Sequence, residues 1–219
     1  MLGVDGWRGR WVGALLTGRR VTLLDLADVP AVLAVPDVAV VGIDMPIGLS
    51  DDGVRACDVQ ARKKLGRAGS SVFPAPVRPV VRANTYDEAR SLSLAAARRS
   101  LSVQTFGLVP AVRSLDDALG DPPNPRVHEV HPELSFRALD GRVTDRKASV
   151  AGLAQRIRAL EAAMDVLDAL AGAPAWMPMV DALDACAAAW SAQRIADGQA
   201  EVVGDGSLDS RHRPMRICF

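Results

Sequence analysis

Met1-Leu2-Gly3-Val4-Asp5-Gly6-Trp7 and Val38-Ala39-Val40-Val41-Gly42-Ile43-Asp44-Met45-Pro46 hold the two clearest strand patterns of the chain. The first reads as a strand over Leu2–Asp5 that ends on an acid and opens into the turn Gly6-Trp7-Arg8-Gly9-Arg10. The second is an unbroken apolar run rich in β-branched residues, the pattern of a strand buried on both faces. It too ends on a lone aspartate. Two buried strands that each close on one carboxylate suggest acids gathered at one edge of a sheet to hold a metal.

Working outward, Trp11–Leu16 reads as a second strand, and Arg20–Leu24 as a third, reached through Thr17-Gly18-Arg19. Asp28–Val35 reads as a short helix stopped by Pro36. Residues 50–70 are expected to be helical, with Ser50 or Asp51 as N-cap. A Pro- and Arg-rich loop over 69–86 follows, then a helix over 86–104 and helical character again over Val109–Ala118. Asp121-Pro122-Pro123-Asn124-Pro125 is a rigid linker. Val127–Val130 is a fifth strand, ending at His131-Pro132-Glu133. Val150, Leu153, Ile157, Leu160, Met164 and Leu167 recur at three- and four-residue steps, the mark of one amphipathic helix. Ala173-Pro174-Ala175-Trp176-Met177-Pro178 breaks it. A last helix covers about Met179–Asp197, and the tail forms a final hairpin or a loose end. The class is α/β: three hairpin-linked strands, then alternating helices and parallel strands. A single domain over residues 1–219, with an insertion at about 50–125 between the fourth and fifth strands, is expected.

The 26 basic and 26 acidic residues cancel. Locally they do not: Arg55–Arg82 holds seven Lys/Arg against Asp58, and Asp181–Asp209 holds six acids against Arg194. That pairing suits an anion-binding flank beside an acidic metal pocket, or simple surface bias. Cys57, Cys186 and Cys218 are odd in number and widely spaced, which argues against a disulfide framework and against a zinc knuckle. A cytoplasmic setting is expected. No basic start with an apolar run signals a secretory leader, and no charge-free run approaches the ~18 residues of a membrane span.

The chemistry-bearing candidates are acids. Asp5 and Asp44 end their strands, Glu133 follows the fifth, and Asp181 and Asp184 share one face of the last helix, being three apart. Small alanines around them let that helix approach the sheet edge closely. Mg²⁺ or Mn²⁺ suits such a set, because hard cations take carboxylates, waters and phosphate oxygens. Two such ions can activate water and stabilise the leaving oxygen of a phosphodiester. Plainer readings stand beside these. Asp5 and Asp44 could each cap a turn, and Asp181 and Asp184 could be exposed helix acids. His131 is a candidate proton carrier. Arg55 and Arg62 are candidates for phosphate contact, or for an internal ion-pair ladder with Asp58. Gly6 is a candidate for close approach of backbone to phosphate.

Gly3-Val4-Asp5-Gly6, Ile43-Asp44-Met45-Pro46-Ile47-Gly48-Leu49, Arg55-Ala56-Cys57-Asp58-Val59-Gln60-Ala61-Arg62, Gly69-Ser70-Ser71-Val72-Phe73-Pro74 and Glu129-Val130-His131-Pro132-Glu133-Leu134-Ser135-Phe136, in that order, resemble the domain-of-unknown-function family numbered 429 (DUF429). That family is described as predicted nucleases of RNase H-like fold. The resemblance spans most of residues 1–190. Asp181-Ala182-Leu183-Asp184-Ala185 also resembles the helix bearing the final acids in Holliday-junction resolvases. The resemblance implies an RNase H-like mixed sheet, with Asp5 and Asp44 as the first two metal-binding acids and Asp184 as the last, Asp181 being rival or helper. Many nucleases of this fold carry Glu where Asp44 stands; Asp44 is one methylene shorter, so the metal would sit nearer that strand or be held through water. The implied activity is metal-dependent phosphodiester hydrolysis on nucleic acid or a nucleotide, with no membrane partner and a homodimer among the assemblies open to it. Actin-like and sugar-kinase-type phosphotransfer or ATP-binding domains share the strand order and are one alternative. A non-catalytic binding protein that keeps the fold is the other.

Overall fold

The structure, a computed structural model, describes all 219 residues. Its contacts divide the chain into two compact units. The first comprises Met1–Met45, Arg126–Glu201 and Cys218–Phe219, and the second comprises Pro46–Pro125 and Val202–Ile217.

The first unit is α/β and is built on a mixed five-stranded sheet. β1 (Leu2–Trp7), β2 (Arg10–Thr17) and β3 (Arg20–Leu26) form an antiparallel meander. β4 (Val41–Ile43) runs parallel to β1, and β5 (Val127–Glu129) runs parallel to β4, giving the order β3-β2-β1-β4-β5. β1 is longer than its apolar stretch suggests. Gly6 lies inside it opposite Trp11, and the turn is the two-residue Arg8-Gly9. Both turn residues have positive φ, 46° and 80°, as a tight hairpin that follows the strand twist requires. Gly6 is therefore a strand residue and not part of the turn.

Helix α1 (Val29–Leu33) is capped by Asp28, whose carboxylate accepts from the Ala31 amide at 2.8 Å. The remaining helices of this unit, numbered along the chain, are α5 (Pro132–Leu139), α6 (Val150–Glu161), α7 (Val166–Ala171) and α8 (Met179–Ala196). α8 lies across β1, β2 and β4, with α5 and α6 against it. Its run of buried alanines makes the contact thin. At Gly3 an added Cβ would stand 2.0 Å from the Ala189 nitrogen and 2.1 Å from the Ala185 oxygen, and at Gly42 2.7 Å from the Ala188 oxygen. Glycine is required at both points because helix backbone rests directly on strand backbone. Beside this contact, Val12, Ala14, Leu16, Phe136, Leu160 and Leu183 fill the core. Ser191 donates to Ser135 at 2.7 Å, which satisfies two buried hydroxyls between α8 and α5.

The single helix expected over 150–167 is two. After α6 the chain turns at Ala162–Asp165, where the Asp165 amide donates to the Arg19 carbonyl at 2.8 Å. Met164 is fully buried in that turn, so a residue on the periodic stripe is a core residue without being helical.

The second unit carries α2 (Ala56–Leu65), α3 (Tyr86–Ala97), α4 (Val103–Ala118), two 3₁₀ segments (Gly66–Ser71 and Arg78–Arg82) and most of the hairpin of β6 (Val202–Leu208) and β7 (Pro214–Cys218). α2 starts later than the expected residue 50. Ser50 caps a local turn, its hydroxyl accepting from the Gly53 amide at 3.0 Å, and Arg55 takes the N-cap position. The continuous helix expected over 86–104 breaks at the left-handed Arg98 (φ 51°), and Ser102 starts α4 by accepting from the Thr105 amide at 3.0 Å. A buried ionic cluster ties this unit together. Asp116 receives Arg78 at 3.3 Å and Arg211 at 2.7 Å, and also pairs with Arg213, while Asp209 pairs with Arg78 and accepts from the Leu49 amide at 3.0 Å. No helix is long and apolar enough to cross a membrane.

Candidate functional site

Side chains alternate across a strand. Gly3 and Asp5 therefore share one face of β1, and Gly42 and Asp44 share one face of the β4 path. The two glycines meet the backbone of α8, so that face lies beneath α8. β1 and β4 pair in register, Gly3 with Gly42 and Val4 with Ile43, and the Asp44 amide continues the ladder to the Val4 carbonyl at 2.9 Å. Asp5 and Asp44 thus stand in one row, but Asp5 does not end its strand as expected: it lies inside β1 opposite Val12, while Asp44 directly follows β4. Asp181 and Asp184 come from the first two turns of α8.

The electrostatics show that these acids share one environment. Burial, then the carboxylates of Asp44, Asp184 and Asp181, raise the Asp5 carboxyl well above its ordinary range. Burial and Asp184 push Asp44 up to about 7. Burial also raises Asp184 and Asp181. Asp5 and Asp184 are almost wholly inaccessible, at 8% and 2% exposed, whereas Asp44 and Asp181 keep some surface. Asp5 also accepts from the Gly6 amide at 2.8 Å, a contact within β1 and not a cap on the Arg8-Gly9 turn.

One cation sits among the acids. Lys147 donates to the Asp184 carboxylate at 2.7 Å. Burial alone would lower its ammonium, but Asp184, Asp5 and Asp44 together raise it. Its field in turn lowers Asp5, Asp44, Asp181 and Asp184. Lys147 lies on the loop between α5 and α6, and α6 clamps that loop. The Gln155 side-chain oxygen accepts from the Thr144 and Asp145 amides, each at 3.0 Å, and Arg156 donates to the Asp145 carbonyl at 3.0 Å. At Gly152 an added Cβ would fall 2.0 Å from the Arg146 oxygen.

Glu133 is placed by the same clamp. Its carboxylate accepts from the buried Arg156 at 2.7 Å, and both groups act on Asp184. Breaking a buried pair of this kind costs roughly 3–5 kcal/mol, because the remaining charge stays buried without its partner. A Glu133 variant would therefore report on folding as much as on chemistry. His131 occupies the N-cap position of α5, where its carbonyl accepts from the Leu134 and Ser135 amides at 2.9 and 3.1 Å.

A family model described as a protein of unknown function, DUF429, matches residues 3–207. The chain belongs to that family. None of the curated proteins and none of the solved structures matches this DUF429 chain.

The expected substrate-binding arginines lie in the second unit. Arg55 is 3% exposed and commits its guanidinium to Asp58 at 2.5 Å and to the Gly48 carbonyl at 2.9 Å. That is the internal ion pair of the plainer reading, and it leaves Arg55 no surface for a phosphate. Arg62 is exposed, with Nε donating to the Val72 carbonyl at 2.9 Å. It lines a cavity of about 400 Å³ with Phe73, Arg99 and Ser102.

Oxygen-only donors that repel one another are what a hard divalent cation relieves, and the donor set of Asp5, Asp44 and Asp184 fits Mg²⁺ or Mn²⁺ on that ground. In this structure, however, no three His, Cys, Asp or Glu side chains are placed to grip one ion. Two members of the site in this DUF429 chain, Lys147 and Arg156, were not among the sequence candidates. Lys147 lies in a polar loop with no periodicity to single it out. Arg156 carried a signal: it stands three residues after Leu153 and four before Leu160, on the apolar stripe of α6, where an arginine needs a buried partner.

Proposed function

We propose that this protein is a metal-dependent phosphodiester hydrolase of RNase H-like fold, acting on nucleic acid or a nucleotide. One observation carries the reading. Three aspartates from separate elements, Asp5 of β1, Asp44 after β4 and Asp184 of α8, share one electrostatic environment. The order β3-β2-β1-β4-β5, antiparallel on one side and parallel on the other, supports the RNase H-like assignment. Asp5, Asp44 and Asp184 would hold Mg²⁺ or Mn²⁺, with Asp181 at the rim. The chemistry such an ion supplies when bound is polarisation of a phosphoryl oxygen and a lowered water pKa. The chain's own part is to fix three carboxylates on rigid strands and a helix, and to shield two of them from bulk water.

The test is cleavage of a panel of single-stranded, duplex and branched DNA, RNA and a simple aryl phosphodiester, with Mn²⁺ present. Asp5→Asn is expected to lower cleavage by at least about a hundredfold, the scale of losing preorganised charge stabilisation, while keeping the wild-type melting curve. Retained cleavage in that variant would sink the proposal.

A second reading, a binding protein that keeps the fold without catalysis, is favoured by the ion pair that engages Asp184. Absence of saturable Mn²⁺ binding by the wild-type protein would select it.

A further inference from the structure

The cavity of about 400 Å³ in the second unit takes its whole wall from residues 53–105. That volume lies within the roughly 300–1,000 Å³ of small-molecule sites. The wall holds two guanidinium groups, Arg62 and Arg99, and no Asp or Glu. Neither arginine forms an ion pair. Arg62 spends only Nε, on the Val72 carbonyl at 2.9 Å, and Arg99 is engaged only through its carbonyl, which accepts from Ser93 at 2.8 Å. Ser102, Gln104 and Thr105 bring the start of the 16-residue α4 to the same wall, and its positive end adds a smaller contribution of the same sign. The apolar part is equally unsatisfied: Phe73 and Val54 line the cavity yet are 48% and 40% exposed. The frame is held without a ligand. Asp58, paired with Arg55, accepts from the Ala75 amide at 3.0 Å and pins the wall that carries Phe73. Tyr86 donates to the Leu101 carbonyl at 2.9 Å, which fixes the connection between α3 and α4 that carries Arg99.

We propose that this cavity binds a small phosphate monoester that carries an aromatic ring. A monoester bears about −1.5 to −2 charges at neutral pH, which two guanidinium groups without a carboxylate partner match. With Nε engaged, Arg62 keeps Nη1 and Nη2 for phosphate oxygens, and such charge-assisted contacts are among the strongest hydrogen bonds a protein makes. The ring covers Phe73 and removes that exposed aromatic face from water. The site is independent of the hydrolase reading, since no aspartate of the first unit and no metal takes part in it.

The experiment is calorimetric titration of the full chain, in chelator so that no metal contributes. The probes are AMP, UMP and phenyl phosphate, with adenosine, uridine and inorganic phosphate as their parts. At least one monoester is expected to bind saturably, with each of its parts weaker by about tenfold or more. Arg62→Met and Arg99→Met are each expected to weaken that monoester by about tenfold or more, and Phe73→Ala by a few-fold. Tighter binding of AMP and UMP assigns the ligand to the nucleotides, and tighter binding of phenyl phosphate assigns it to simple aryl esters. Thermal melts identify any variant that fails to fold, and Arg99→Met, which removes no side-chain hydrogen bond, keeps the test open if Arg62→Met does not fold. Absence of saturable monoester binding overturns the proposal. So does a monoester affinity unchanged in the folded arginine variants, or one part binding as tightly as the whole.

Discussion

Asp44 carries the most direct consequence at the scale of a single residue. Its carboxyl titrates near 7 in the folded chain against 3.8 for the ordinary side chain, because it is buried and faces Asp184. Between those values the folded protein holds a proton that the unfolded chain has released. Stability of the metal-free protein therefore falls as pH rises from about 4 to about 7, by at most about 1.4 kcal/mol per pH unit for each such proton. Urea denaturation in chelator across that range should show the fall in wild type and a shallower one in Asp44→Asn. Parallel curves would contradict the assignment. Cys186, two residues beyond Asp184, is pushed up to about 12 by burial and by that carboxylate. At neutral pH it is therefore a thiol and not a thiolate.

Among the elements, α8 and the strands it covers define the site, and the glycines define α8's seat. Gly3→Ala would drive a methyl group into the Ala185 and Ala189 backbone. The expected cost is at least about 1–3 kcal/mol, the range for overpacking a tight core, read from a denaturation midpoint. Wild-type stability in that variant would contradict the register that aims Asp5 at α8. Much of this was legible in the sequence. The Gly9 and Gly18 turns marked the meander, whereas the extension of β1 past Asp5 to Trp7 was not marked. α5, opening with Pro132 right after the fifth strand, and the turn at Ala162–Asp165 were not legible. The first rests on an extended His131 ahead of a proline at the first helical position, and the second on a backbone contact to Arg19, more than a hundred residues away. Lys147 was hidden for the same reason: its meaning comes from Asp184, which no local pattern connects to it.

For the whole molecule, the balanced charge of 26 basic and 26 acidic residues conceals a site where one lysine faces four aspartates. Affinity for a phosphodiester would come from that local imbalance once a divalent ion is bound, and not from a basic surface. The DUF429 match over residues 3–207 takes in the sheet with its acids and the Pro46–Pro125 part of the second unit. The proposed function requires Asp5, Asp44 and Asp184 to act together on one divalent ion. Anomalous scattering from a crystal soaked in Mn²⁺ is expected to show a peak bounded by these three carboxylates. A well-diffracting, Mn²⁺-saturated crystal with no peak there would rule that role out.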